Sequence, residues 1–156
     1  FIPAQKGKTH VLHIIRELLS FEPTSTGTNI AQALQYFSNA QKRHCTVFLI
    51  SDFIGIENLE KPLMIASNRH EVNAIQIYDR RDTELPNLGL VQFRDAESGE
   101  DIWVDTSLKT IREEYAMAWT RNQNQIEQIF TRTGVKKVAV RTDADYVKAL
   151  MQLFRI

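Results

Sequence analysis

The chain has 156 residues, of which 43% are hydrophobic and 24% charged, with nineteen basic side chains against nineteen acidic ones. That is enough for one domain with a real core, and the balanced charge gives no electrostatic case for nucleic acid or an anionic membrane surface. A single cysteine, Cys45, excludes an internal disulfide framework and suits a reducing compartment. The expected location is accordingly the cytoplasm, and no run approaches the ~20 apolar residues that span a bilayer.

The chain opens on Phe1-Ile2-Pro3-Ala4, with no initiator Met, as if inside an extended segment, and reads as a fragment. From Thr9 the pattern is helical. Val11, Leu12, Ile14, Ile15, Leu18 and Leu19 recur at three- and four-residue intervals, so the helix is expected to bury one face, with Thr9 as its cap. His10 and His13 lie three apart on it, but with no third ligand nearby they read as ordinary solvated or packed histidines.

A loop rich in small hydroxyl residues, Ser20 to Asn29, leads into a second helical period at Ile30, Ala33, Leu34 and Phe37. Thr28 has two readings there. It is either the N-cap of that helix or a metal ligand, with Gly27 before it allowing close backbone approach to an ion.

The run His44 to Phe53 is a short apolar stretch that stops on a carboxylate. It is expected to be a strand buried on both faces, which would bury Cys45 and leave no convincing Cys–His dyad. Ligands gather at the carboxyl ends of parallel strands, where Asp52 falls; the alternative is a turn or cap residue. Leu59, Leu63 and Ala66 then mark a short helix, and Val72 to Tyr78 a second strand ending on Asp79, so two acidic strand ends could flank one site.

Turn residues around Leu85 to Gly89 precede two strands, Leu90 to Arg94 and Asp101 to Asp105, that form a small antiparallel hairpin with a solvated acidic turn. A long helix carries Leu108, Ile111, Tyr115, Trp119, Ile126 and Phe130 on one stripe and stops at Gly134. Val135 to Val140 makes a third strand. Thr142 with Asp145 resembles a capping box before a last helix through Val147, Leu150 and Phe154. The alternation of strands and helices is that of an α/β fold.

The order of Thr26-Gly27-Thr28-Asn29 opening a helix with Ala33-Leu34, then Val47 to Phe53 at a strand end, resembles the von Willebrand factor A domain. More narrowly, the chain resembles the bacterial family called domain of unknown function 58. That match rests on Lys6-Gly7, on His70 before Val72 to Ile77, and on Asp79 followed by Glu84-Leu85-Pro86. It continues through Gly89, Asp95 to Glu100, Val104-Asp105-Thr106, and Thr142 with Tyr146 and Leu150.

The resemblance implies a Rossmann-like three-layer αβα domain with a mostly parallel sheet and a hairpin insertion at about 85–106, here a single partial domain over 1–156. It implies a metal-ion-dependent adhesion site in which Thr28 and Asp52 match two ligands of a magnesium ion. Hydroxyls, carboxylates and retained waters suit that ion, and a partner's carboxylate can take its open position. The family's principal metal motif, Asp-x-Ser-x-Ser, occurs nowhere in this sequence. It belongs upstream of Phe1, so the fragment is expected to bind little or no magnesium and to lack the first strands of the sheet.

The strand at Cys45 to Ser51 is then expected to expose an edge that pairs in a homodimer or is covered by the N-terminal segment. The implied function is non-enzymatic: an adaptor for a MoxR-type AAA+ ATPase, itself a separate chain, in chaperone-like maturation of other proteins. The rival expectation is a magnesium-dependent enzyme of phosphoryl transfer or hydrolysis using Asp52, with Asp79 beside it and Arg80 and Arg81 as a clamp.

Overall fold

The structure is a computed structural model, described here for residues 1–22, 27–94 and 99–154. Its elements are α1 (Lys8–Ser20), α2 (Ile30–Ala40), β1 (Thr46–Ser51), α3 (Glu60–Ser67), β2 (Glu71–Tyr78), α4 (Arg80–Thr83), β3 (Leu90–Arg94), β4 (Asp101–Asp105), α5 (Lys109–Thr133), β5 (Lys136–Arg141) and α6 (Tyr146–Leu153). The fold is mixed α/β, as expected.

Three strands form a parallel sheet in the order β1-β2-β5, with Val47 beside Val72 and Ile75 beside Val138. The expected hairpin is present as a separate antiparallel pair, β3 with β4. Most of its acidic turn lies outside the described residues.

Because side chains alternate across a pleated strand, the sheet has two distinct faces. On one, Val47, Leu49, Val72 and Ala74 pack beneath α2, α3 and the C-terminal part of α5, through Ile30, Leu34, Leu63, Ala66, Ile126 and Phe130. On the other, Ile75, Val138 and Val140 pack only against α6, through Ala149, Leu150 and Leu153. At β1 that cover thins: Phe154, the C-cap of α6, brings its ring to 6.1 Å from that of Phe48, yet Phe48 stays 45% and Ile50 59% exposed.

Strand β1 is therefore not buried on both faces. It alternates between half-buried and exposed, and Cys45 is half-buried. The apolar run at 45–51 lacks alternation in sequence because both sides are hydrophobic, yet only one side is roofed by helices; the other meets the ring of Phe154 and stays largely exposed.

The first helix departs further from expectation. It buries none of its residues, and Val11, Leu12, Leu18 and Leu19 are all more than half exposed. Its amphipathic period is real, but among the described residues nothing covers the apolar stripe. Thr9 is not its cap: the helix starts one residue earlier, at Lys8, behind Gly7, whose φ of 104° suits a residue without a Cβ.

Two further caps are reassigned. Asn29, not Thr28, caps α2, its Oδ1 accepting from the Gln32 N–H at 2.8 Å. Asp145 alone caps α6, accepting from the Val147 N–H at 3.0 Å, because the Thr142 hydroxyl is engaged elsewhere. Helix α5 does end where expected, at Gly134, in the left-handed conformation with φ 66°. Its stripe is buried only in its C-terminal half, since Leu108 and Tyr115 remain exposed.

Candidate functional site

Asp52 and Asp79 stand at the carboxyl end of the parallel sheet, after β1 and β2. Strand β1 ends at Ser51, and the chain turns at once. The Ser51 Oγ accepts from the Phe53 N–H at 3.0 Å, and the Asp52 Oδ1 accepts from the Ile54 N–H at 3.1 Å. Such short side-chain bonds to the backbone two residues on are what serine and aspartate offer a turn.

Phe53 then adopts φ 56°, unusual for a bulky residue and costing roughly 1–3 kcal/mol. Its ring is fully buried and meets Phe130 edge-on at 5.1 Å, which offsets the strain. The consequence is directional: with Phe53 anchored inward, Asp52 stands outward and exposed.

A second tether comes from β2. Gln76 is completely buried, and its Nε2 donates to the Asp52 carbonyl at 3.3 Å. Its Oε1 accepts from Lys137 Nζ at 3.5 Å, and Lys137 pairs with Glu127 at 3.0 Å. A buried amide without partners is costly, so this chain of bonds fixes the Asp52 backbone from the sheet side. Neither Gln76 nor Phe53 was singled out from sequence; a glutamine inside an apolar strand was the available signal.

Among the described residues no hydrogen bond joins Thr28 to Asp52. Thr28 borders a shallow polar depression of about 460 Å³ together with Asn29, Gln32, Gly55, Glu57 and Asn58. The loop preceding α2 thus meets the loop that follows Asp52. Hydroxyl and carboxylate are the right donors for magnesium, but the Asp52 Oδ1 already serves its own turn. Among the described residues no group of three or more His, Cys, Asp or Glu side chains is placed to hold a metal ion. Thr28 and Asp52 do not by themselves fit one.

Asp79, the second acidic strand end, is spent structurally. It caps α4 by accepting from the Arg81 N–H at 2.9 Å, while its own N–H is held by Asp82 at 2.7 Å. The Thr142 hydroxyl donates to its other oxygen at 2.8 Å. The Arg81 N–H, then the Thr142 hydroxyl, then the charges of Arg81 and Arg141 hold the Asp79 carboxyl below the usual aspartate range. It shares no bond with Asp52.

The expected arginine clamp resolves into a surface helix in which Arg80 pairs with Glu84 at 2.6 Å. His13 pairs with Glu17 at 3.6 Å. At the opposite end of β1, the Cys45 Sγ lies 3.5 Å from the Nδ1 of the buried His70, a thiol–imidazole contact that the expected burial of Cys45 had discounted.

A family profile described as "Protein of unknown function DUF58" matches residues 1–125. The chain belongs to that family. Relatives include the uncharacterized protein Rv1480 of Mycobacterium tuberculosis and Mb1516 of Mycobacterium bovis. Each is 30% identical over 155 residues, covering 97% of this chain and 48% of the relative. The uncharacterized protein MAV169 of Mycobacterium avium is 28% identical over 158 residues, covering 99% of this chain and 92% of its own length. The chain spans about half the length of the first two. No solved structure matches significantly. Among the described residues no helix is long and apolar enough to cross a membrane.

Proposed function

We propose that this chain is part of a non-enzymatic protein-interaction domain of von Willebrand A type, an adaptor for a MoxR-type AAA+ ATPase in chaperone-like maturation of other proteins. The observation that carries the reading is the state of β1. It is an edge strand with Phe48 and Ile50 exposed on an open face, and it ends on the outward-facing Asp52. Contiguous apolar surface beside an unpaired strand edge is characteristic of a surface that other chains cover.

Magnesium is proposed only for a longer protein of the size of the chain's relatives, in which further hard-oxygen ligands join Thr28 and Asp52 and a partner carboxylate completes the coordination. For the present chain alone, the proposed occupant of the β1 edge is a second copy, forming a homodimer across Cys45 to Ser51. The setting proposed for this activity is the cytoplasm.

Magnesium and manganese titrations followed by calorimetry test the adhesion-site reading. The longer protein should bind and this chain should not, and Asp52→Ala in the longer protein should abolish binding. Binding unaffected by Asp52→Ala would return Thr28 and Asp52 to the role of loop residues. Detectable phosphatase turnover lost in Asp52→Ala would replace the adaptor with the enzyme.

A further inference from the structure

A cleft of about 800 Å³ lies between α4, the segment that follows it, and the hairpin. Its apolar wall is made by Leu85, Pro86, Leu88, Val91, Phe93 and Tyr115, and α4 supplies its polar rim. The wall draws on β3 and on no residue of β4, so the cleft lies along the outer side of β3.

That side is open. Among the described residues β3 pairs with β4 alone, from Leu90 opposite Asp105 to Arg94 opposite Asp101. Alternate backbone N–H and C=O groups of β3 therefore point away from β4 with no strand to receive them. Val91 and Phe93, two residues apart, present their side chains to the cleft on one face of the strand.

The charges on the rim are not equivalent. Arg80 is paired with Glu84, and Asp82 is held by the Asp79 N–H. The guanidinium of Arg81 has no hydrogen bond or ion pair among the described residues; its charge acts on Asp79 without a direct bond, while its N–H is held by Asp79 and its carbonyl by the Tyr115 hydroxyl at 3.0 Å. A cation with no direct side-chain partner among the described residues thus stands beside an apolar wall and an open strand edge.

We propose that this cleft binds an extended peptide segment that adds to β3 as a third antiparallel or parallel strand, seats alternate apolar side chains on Val91, Phe93 and Leu85, and offers a carboxylate to Arg81. Backbone pairing supplies the grip and the alternate pockets supply the selection, as in other strand-addition sites. The acidic requirement follows from charge complementarity with the Arg81 guanidinium, which has no hydrogen bond or ion pair among the described residues. The inference is independent of the adhesion-site reading, since it uses a different sheet and neither Thr28 nor Asp52.

A random heptapeptide library displayed on phage, panned on the chain, is the direct test, with each selected peptide then synthesised and measured by fluorescence anisotropy. Selected peptides should carry apolar residues at alternate positions and one acidic residue. Arg81→Glu, at an exposed position, should weaken them roughly ten-fold or more, and N-methylation of alternate peptide amides should do the same. Phe93→Ser provides a second variant, with thermal melting to verify that each variant is folded. Failure to select any peptide, or selected peptides indifferent to both substitutions, would overturn the proposal. So would decanoate binding with the same Arg81 dependence while N-methylation of the peptides changes nothing, since the cleft would then be a site for small carboxylates.

Discussion

The two faces of the parallel sheet are built from similar residues but reach different ends. On one face Val47, Leu49, Val72 and Ala74 are roofed by three helices. On the other Phe48 is met only at the end of α6, by the ring of Phe154, and it and Ile50 stay largely exposed among the described residues. The filled face holds the molecule together, and it also aims the site, because Phe53 and Gln76 anchor the turn at Asp52 from that side. The open face contributes little to the stability of this chain and is the surface that the proposed function uses.

This contrast is sharpest at Phe130. The ring is 2% exposed and packs against Phe53, so Phe130→Ala should destabilise by about 3–5 kcal/mol in urea unfolding. A smaller loss would mean that the filled face is less tightly packed than described. Gly134→Ala comes next. It forces a Cβ into the left-handed region at the end of α5, with open space around it, so the cost is conformational, roughly 1–2 kcal/mol.

Asp79 links the ends of β2 and β5 through Thr142, and its contribution has a defined pH sense. Its folded pKa lies below the unfolded value, so the stabilisation is complete above the ordinary aspartate value near pH 4 and is lost as pH falls through the folded pKa. Asp79→Asn should lower stability at neutral pH and flatten that acid-side decline; an unchanged acid limb would remove Asp79 from the account. On the open face, Ile50→Ser should change stability by no more than about 0.5 kcal/mol. If the proposed dimer across β1 forms, the substitution should nevertheless shift the chain towards monomer in light scattering, and an unchanged mass distribution would contradict that proposal.

Sequence made the locally coded features legible. Gly134 as a helix stop, the 90–94 and 101–105 hairpin, and an apolar strand ending on Asp52 each depend on a few neighbouring residues. What it could not reveal depends on neighbours distant in the chain. The stripe on α1 carries the same period as a buried helix, and only the absence of a roof among the described residues separates the two. The run at β1 looks doubly buried because its open face is apolar too. The bond between Thr142 and Asp79 spans sixty-three positions, so a local capping box was the natural reading of Thr142.

The site was legible in part for the same reason. Asp52 and Thr28 were visible as a strand end and a loop end, but the depression that Thr28 borders was not, nor was the service of the Asp52 Oδ1 to its own turn. Asp79 illustrates the opposite outcome: a strand-end carboxylate that sequence presented as a partner for Asp52 turned out to be a helix cap.

Hydrogen–deuterium exchange on a protein of the relatives' length, with and without a MoxR-type ATPase and magnesium, tests the central claim most directly. The account predicts added protection at β1, residues 46–51, and in the loop 52–58 on binding, with the filled-face helix α3 unchanged. Binding that leaves both segments at their free exchange rates would contradict it.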